Sequence, residues 1–266
     1  MLIRSLLLIL FVLPATIMAQ SKEALLQKTW AGPELSYVVF DSTTCSFDFF
    51  GQFRRQTGYT VQGDTIRVLN RYTSSRDHFS KTHIEDRDFL IKRLTKDSLV
   101  LAPVNQYARE LVNGQPVLYY KDIQLTATDT IRFDSLFFRS TTCFGTCPSI
   151  RLQIDNNRQL KFRGREYAVQ QGDFTGTLPD SVYQEVLRGL SIAALDQLKT
   201  WEQRVADAPR YILIVWYNQK CRYIDNYYLP LGTRALITCL LNVPRNTPLQ
   251  KSEQPLVFVD PYTIIK

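Results

Sequence analysis

From Trp30 to about Leu125, short runs of alternating apolar and polar residues follow one another between turn residues, and a period of two marks strands. The candidates are Leu35 to Phe40, Ser46 to Phe53, Gly58 to Val61, Thr65 to Leu69, Phe89 to Leu94, Leu99 to Pro103, Tyr107 to Val112 and Val117 to Ile123. Gly63-Asp64 and Lys96-Asp97 join neighbouring runs tightly, and Asn113-Gly114 suits the positive backbone angles of a hairpin turn. Such turns favour sequential antiparallel pairing. The pattern therefore predicts a β-meander of about eight strands with no helix, and a meander of that length curls and closes into a small barrel.

Beyond the join Thr126-Ala127-Thr128-Asp129-Thr130 the pattern mixes strands with helices. Ile131 to Ser140 reads as a strand, Ser149 to Ile154 pairs with Gln159 to Arg163 across Asp155 to Arg158, and Phe174 to Leu178 is a weaker fourth. Pro179-Asp180 opens a helix, the Asp180 carboxylate being able to accept backbone donors, with Val182, Val186, Leu187 and Leu190 as one apolar stripe. Tyr211 to Tyr217 is too rich in branched and aromatic residues for a surface helix and predicts a central strand, turning through Asn218 to Lys220 into Cys221 to Tyr227. Pro230 permits a second helix from about Leu231 to Asn242, with Leu236, Ile237, Leu240 and Leu241 facing inward. This half predicts an α+β domain with helices on one antiparallel sheet. The tail beyond Pro244 reads as an extended clasp whose segment Leu256 to Val259 demands burial, and proline does not choose its partner.

The first nineteen residues carry the charged start (Arg4), the apolar run (Leu6 to Leu13) and the break ending in a small residue (Pro14 through Ala19) of a cleaved secretory signal, with cleavage expected between Ala19 and Gln20. The run is too short for a permanent span, and no cysteine follows it to carry a lipid. The organisation expected is a signal peptide at 1–19, a β domain at 20–125, an α+β domain at 126–243 and a tail at 244–266, in a periplasmic or secreted protein with no transmembrane segment after cleavage.

The formal net charge of +7 falls to about +6 without Arg4, and basic residues are interleaved with acids throughout. Nucleic-acid binding needs a stripe of cations on one face and is not expected. Only two histidines occur, His78 and His83, which removes the usual imidazole of hydrolytic triads and zinc sites. The stretch Asp77 to Asp88 has no standard ligand spacing and reads as a solvated polar loop, so neither metal nor cofactor is expected. Arg151, Lys161, Arg163 and Arg165 share one predicted sheet face, either as a patch for an acidic partner or as a solvated face beside Glu166. Asp180, Asp207 and Asp225 read as capping or turn residues, and Tyr227-Tyr228 as strand-end packing or a glycan-contacting surface.

Five cysteines remain. Cys143 and Cys147, four apart around Gly145, can meet if the loop bends back, and closing so small a loop is worth about 2 kcal/mol. A second, less secure bridge between Cys221 and Cys239 would be worth about 3 kcal/mol. Cys239 also reads as a small buried hydrophobe beside Leu236 and Leu240, Cys221 as similar, and Cys45 as a buried lone thiol. A thiol–disulfide or copper site at Cys143 and Cys147 is the competing reading. Against it, Cys147-Pro148 leads into the strand-like Ser149 to Ile154, with no helix terminus to stabilise a thiolate and no histidine after His83.

Two resemblances add to this. Thr29-Trp30, the run Tyr59 to Val68 and the run Phe89 to Leu101 resemble the small lipocalin-like domains of exported bacterial proteins, a likeness that implies a barrel able to hold an apolar ligand, although small barrels are often filled by their own side chains. Cys143-Phe144-Gly145-Thr146-Cys147-Pro148, taken with Ser149 to Ile154 and Gly172 to Leu178, resembles the signature of an uncharacterised family of exported bacterial domains over about Ile131 to Val243. That resemblance implies export and carries no activity and no catalytic residue. The expectation is an exported, noncatalytic binding or envelope-associated module whose partner is a protein, a glycan or a small apolar ligand.

Overall fold

The computed structural model describes residues 21–48, 56–127, 131–200 and 206–263. The expected signal peptide and its cleavage point, the end of the Ser46 to Phe53 run and part of the threonine-rich join lie outside the described residues. In chain order the first half contains α1 (Lys22–Leu26), β1 (Thr29–Ala31), β2 (Tyr37–Phe40), β3 (Thr44–Asp48), β4 (Thr57–Gln62), β5 (Thr65–Val68), β6 (Arg71–Thr73), β7 (Thr82–Ile84), β8 (Arg87–Leu94), β9 (Ser98–Pro103), α2 (Gln106–Leu111) and β10 (Leu118–Asp122). Strands β1 to β5 and β8 to β10 pair antiparallel in sequence order, and β10 returns to β1, closing the barrel. Alternation turns Trp30, Val38, Phe40, Phe47, Ile66, Phe89, Leu99 and Leu101 inward, where none exceeds 3% exposure. Phe47 stacks on Phe89 with centroids 5.2 Å apart. These side chains pack the barrel core, and a cleft of about 530 Å³ is lined by Phe47, Val68 and Leu111 of that same core.

Two segments of this half differ from expectation. Tyr107 to Val112 is not a strand. Asn105 caps α2 by accepting the Ala108 N–H at 3.0 Å, and Ala108 and Val112, four apart, bury one helical face in the barrel core. Asn113-Gly114 does take positive φ, but as a helix stop: Gly114 N–H donates to the Arg109 carbonyl and Asn113 N–H to that of Glu110. The polar stretch after Asp77 contains β7, paired with β6, and His83 stacks on its cross-strand neighbour Tyr72 at 5.1 Å while its Nε2 lies 2.7 Å from Asp77.

The second half comprises β11 (Phe133–Ser140), β12 (Ile150–Asp155), β13 (Gln159–Gly164), β14 (Gly172–Thr177), α3 (Asp180–Ile192), β15 (Tyr211–Tyr217), β16 (Lys220–Asn226), α4 (Arg234–Asn242) and β17 (Leu249–Lys251). The strands form one antiparallel sheet in the order β16-β15-β11-β12-β13-β14-β17. Strand β15 is flanked on both sides, and β17 makes part of the expected tail a seventh strand. Helices α3 and α4 cover one face, where Leu136, Phe138, Leu152, Ile154 and Phe162 meet Val186, Leu190, Leu236 and Leu240. A Cβ on Gly189 of α3 would lie 2.9 Å from the Leu236 Cα, so glycine sets this helix approach. Asp180 does not cap its helix. Its carboxylate takes Arg158 at 3.1 Å instead.

The halves pack through Ala31, Tyr37, Val39 and Ile123 against Ile192 and Leu231, and the Leu231 N–H donates to Asp48 Oδ2 at 2.8 Å. The other Asp48 oxygen is buried without a hydrogen-bond partner among the described residues. Burial pushes the Asp48 carboxyl up to about 6, against the opposing pull of the Leu231 N–H. The folded state therefore holds this proton more tightly than the unfolded chain, where the carboxyl titrates near 3.8, and stability falls as pH rises from 3.8 through 6. We expect Asp48→Asn, which keeps the acceptor for Leu231, to raise unfolding stability at pH 8 by about 1–2 kcal/mol, with the gain shrinking towards pH 4. Urea denaturation at the two pH values checks it; an equal gain at both would show that the carboxyl does not titrate this way.

Candidate anion-binding face

Register decides what the uncovered face of the sheet carries. Arg139 stands directly opposite Arg151, and Arg151 opposite Arg163, so three guanidinium side chains lie in a row across β11, β12 and β13. The row ends on Asp173 of β14 on one side, and on the other passes Ile212 to Asp225 of β16. Like charges directly opposite one another destabilise a sheet. One end is compensated: Arg163 grips Asp173 with two bonds of 2.6 Å, whereas Asp225, beyond Ile212 at the other end, is taken in the same forked manner by Arg210 from outside the row. The Arg163 guanidinium holds the Asp173 carboxyl below the usual carboxylate range.

The expected clasp crosses this face. Leu256 N–H donates to Asp173 Oδ2 at 2.6 Å, and the Leu256 carbonyl accepts from Arg163 at 2.8 Å. Phe258 lies edge-on to Phe137, centroids 6.3 Å apart, with the Arg163 guanidinium 5.3 Å from its ring. Two clefts flank the row. One, of about 190 Å³, is walled by Phe137, the strap and the three arginines. The other, of about 290 Å³, lies at the rim and adds Arg165, Thr142, Ser149 and Glu166 to the same arginines.

Of the residues singled out in the sequence, Arg151, Lys161 and Arg163 stand on this outer face, Lys161 opposite Gln153, and Arg165 follows at the rim. Arg139 was not foreseen. Its alternation is hidden by Leu136-Phe137-Phe138, apolar on both faces because the strap covers Phe137.

The rim is braced by the cysteine loop. Cys143 and Cys147 Sγ atoms lie 1.94 Å apart, at bonding distance, and Ser140 Oγ donates to the Pro148 carbonyl beneath them. The chain then enters β12, so the cysteines do not sit at the start of a helix of their own. Phe144 at the loop tip is 89% exposed. The expected Cys221–Cys239 bridge is absent: both thiols are free. Cys221 pairs with Trp216 and belongs to the outer face, where it is exposed rather than buried, whereas Cys239 sits on α4 across the sheet. Burial and nearby Glu185 push the Cys239 thiol up to about 11, and burial, aided by Asp41, pushes the buried Cys45 up to about 12. Neither environment favours a thiolate.

Asp180, Asp207 and Asp225 do not converge. Asp180 takes Arg158, Asp225 takes Arg210, and the Asp207 carbonyl accepts the Phe144 N–H. Tyr227 and Tyr228 line a cleft of about 390 Å³ with Leu229, Leu231 and Ile237 beside the barrel. Among the described residues, no group of three or more His, Cys, Asp or Glu side chains is placed to hold a metal ion, and no helix is long and apolar enough to cross a membrane.

The fold and this face define a closed β-barrel joined to an α+β domain that displays a basic row on its open side. Residues 134–244 match the family model described as a domain of unknown function, DUF6438. The match begins in β11 and ends just after α4, so it takes in the row and the cysteine loop and stops before the strap. No curated protein and no solved structure matches the chain.

Two outcomes are expected here. Replacing both Cys143 and Cys147 by Ser should lower stability by about 2 kcal/mol, read by denaturant unfolding, while leaving the sheet's far-UV signature in place. Asp173→Ala should remove the acceptor of the Leu256 N–H and with it one arm of the strap's attachment, so that amide exchange of residues 256–258 accelerates at least tenfold over wild type; unchanged exchange would show that Asp173 does not hold the strap.

Proposed function

We propose that this protein is an exported, noncatalytic binding or envelope-associated module of the periplasm or cell exterior, and that the open face of its α+β domain receives an acidic partner. The observation that carries the reading is the row Arg139-Arg151-Arg163, three basic side chains set in register across adjacent strands, with Lys161 on the same face and Arg165 at its rim. The signal-like start of the sequence and the bonded Cys143–Cys147 pair both suit an oxidising compartment. A carrier role for the barrel has less support, because buried aromatic and aliphatic side chains take up its core and the cleft of about 530 Å³ beside them is lined in part by polar and charged residues, Asn70, Arg71 and Arg87 among them. Thiol or copper chemistry at the cysteine loop has less support as well, because the loop lacks a helix dipole to stabilise a thiolate.

The test is binding of a defined acidic polymer, polyglutamate, followed by fluorescence anisotropy. Binding should weaken steeply between 50 and 200 mM salt, and the double charge reversal Lys161→Glu/Arg165→Glu should weaken it at least tenfold. Affinity indifferent to both salt and reversal would overturn the assignment of the acidic partner to this face.

A further inference from the structure

We propose that the cleft between the barrel wall and α4 binds a small aromatic carboxylate, at a site on the helix-covered side of the sheet that does not depend on the acidic-partner reading of the open face. The cleft, of about 390 Å³, is bounded by both halves of the chain: Ser46 of β3, Tyr211 at the start of β15, Tyr227 after β16, and Arg234, Ile237 and Thr238 of α4.

Three properties of its walls select the ligand class. The first is apolar surface: Tyr211, Tyr227, Leu229 and Ile237 bring rings and branched side chains to meet an apolar body, and the Tyr211 ring is itself held by a stack on Phe138, centroids 6.1 Å apart. The second is charge. Among the described residues, Arg234 is the one cation in the lining, no Asp or Glu lines the cleft with it, and its exposed guanidinium makes no ion pair or hydrogen bond. Asp48 is committed to the Leu231 N–H at 2.8 Å and is not a lining residue. A planar guanidinium beside apolar surface, with no carboxylate of the chain to take it, suits a ligand carboxylate. The third is Ser46. Its register opposite Val39 places it on the outer barrel wall that meets the second half, it is only 6% exposed, and its hydroxyl has no hydrogen-bond partner among the described residues. Buried hydroxyls take partners, so Ser46 offers a second polar contact on the wall opposite α4.

The walls are fixed without a ligand. The Leu231 N–H is tied to Asp48, the buried Thr233 hydroxyl donates to the Pro230 carbonyl at 2.8 Å, and Gly232 sits so close to Tyr37 that a Cβ would lie 2.4 Å from its ring, which seats the start of α4 against β2. Walls already in place spare a ligand the cost of ordering them. The volume is near the lower end for small-molecule sites, which admits about one or two fused rings and excludes a long acyl chain.

The test is calorimetric titration of the full chain at pH 7 with naphthoate, beside the neutral naphthalenemethanol, the cationic naphthylmethylamine and the acyl-chain carboxylate decanoate. Naphthoate should bind saturably at one site, at least fivefold more tightly than each of the others. Thr238→Trp, at an exposed position of α4 where the larger side chain would occupy the cleft, should weaken naphthoate at least tenfold, and Lys92→Ala on the exposed side of β8 by less than twofold. Arg234→Gln should weaken naphthoate at least fivefold and naphthalenemethanol by less than twofold, with Arg234→Lys recovering part of the loss; a merely structural role would weaken both ligands alike. The thermal midpoint identifies any variant that fails to fold, and the ranking of the ligands on the wild-type chain is then decisive by itself. Absence of naphthoate binding, binding no tighter than that of naphthalenemethanol or decanoate, undiminished binding in Thr238→Trp, or equal loss of both ligands in Arg234→Gln overturns the inference.

Discussion

The register of β11 against β12, carried on to β13, is the constraint from which the rest of the second domain follows. Side chains alternate between faces, so a slip of one residue along β12 would put Arg151 under the helices and Leu152 in water. With the register as found, Phe138, Leu152 and Phe162 are buried together beneath α3 and α4. The same pairing necessarily lines up Arg139, Arg151 and Arg163 on the other side. The apolar gain on one face thus fixes a repulsive row on the other. That repulsion is met at one end by the forked Asp173 carboxylate and by the strap, whose Leu256 carbonyl and Phe258 ring receive Arg163.

The barrel contributes something different. Its core is packed with its own aromatic residues, and its outer wall at β1 and β2 provides the apolar patch on which Ile192 and Leu231 settle. Gly232 lets the chain pass close there, since a Cβ would lie 2.4 Å from the Tyr37 ring. The buried Asp48 beside this contact ties the Leu231 backbone across the halves at some cost in stability above its titration range, a trade of strength for a defined docking geometry.

Periodicity made most elements legible, because both domains are antiparallel: the meander, the pairing of β12 with β13 and the stripes of α3 and α4 follow from alternation or a 3.6-residue spacing, and the run of β15 from its branched and aromatic residues. What escaped has identifiable causes. Gln106–Leu111 is a single capped turn and a half whose aromatic and branched residues resemble a strand, and the informative residue, Asn105, acts through its side chain rather than its period. Arg139 escaped because β11 is apolar on both faces, a consequence of a strap more than a hundred residues away in sequence. The Cys221–Cys239 pairing failed because spacing along the chain says nothing about which side of a sheet each thiol occupies.

The strap also divides the basic row into two unequal environments. On the inner side it roofs the arginines with Leu256, Phe258 and Val259 and brings the carboxylate-bearing Asp260 into the same cleft, so that the chain itself places apolar surface and an acidic residue over the row. On the rim side, among the described residues, no strap residue lines the cleft, and Arg165 joins the same three arginines beside Glu166. The side bounded by the bonded cysteine loop therefore adds a fourth arginine to the three shared by both clefts. A long side-chain cation in a mobile loop would disperse such a charge into solvent, whereas Arg139, Arg151 and Arg163 are each rooted in a hydrogen-bonded strand whose opposite face is packed, which keeps the separation between their origins fixed. Basic side chains rooted at fixed positions beside a braced rim suit the capture of an acidic partner, and the sheet maintains those positions because the register that separates them is set by the core beneath.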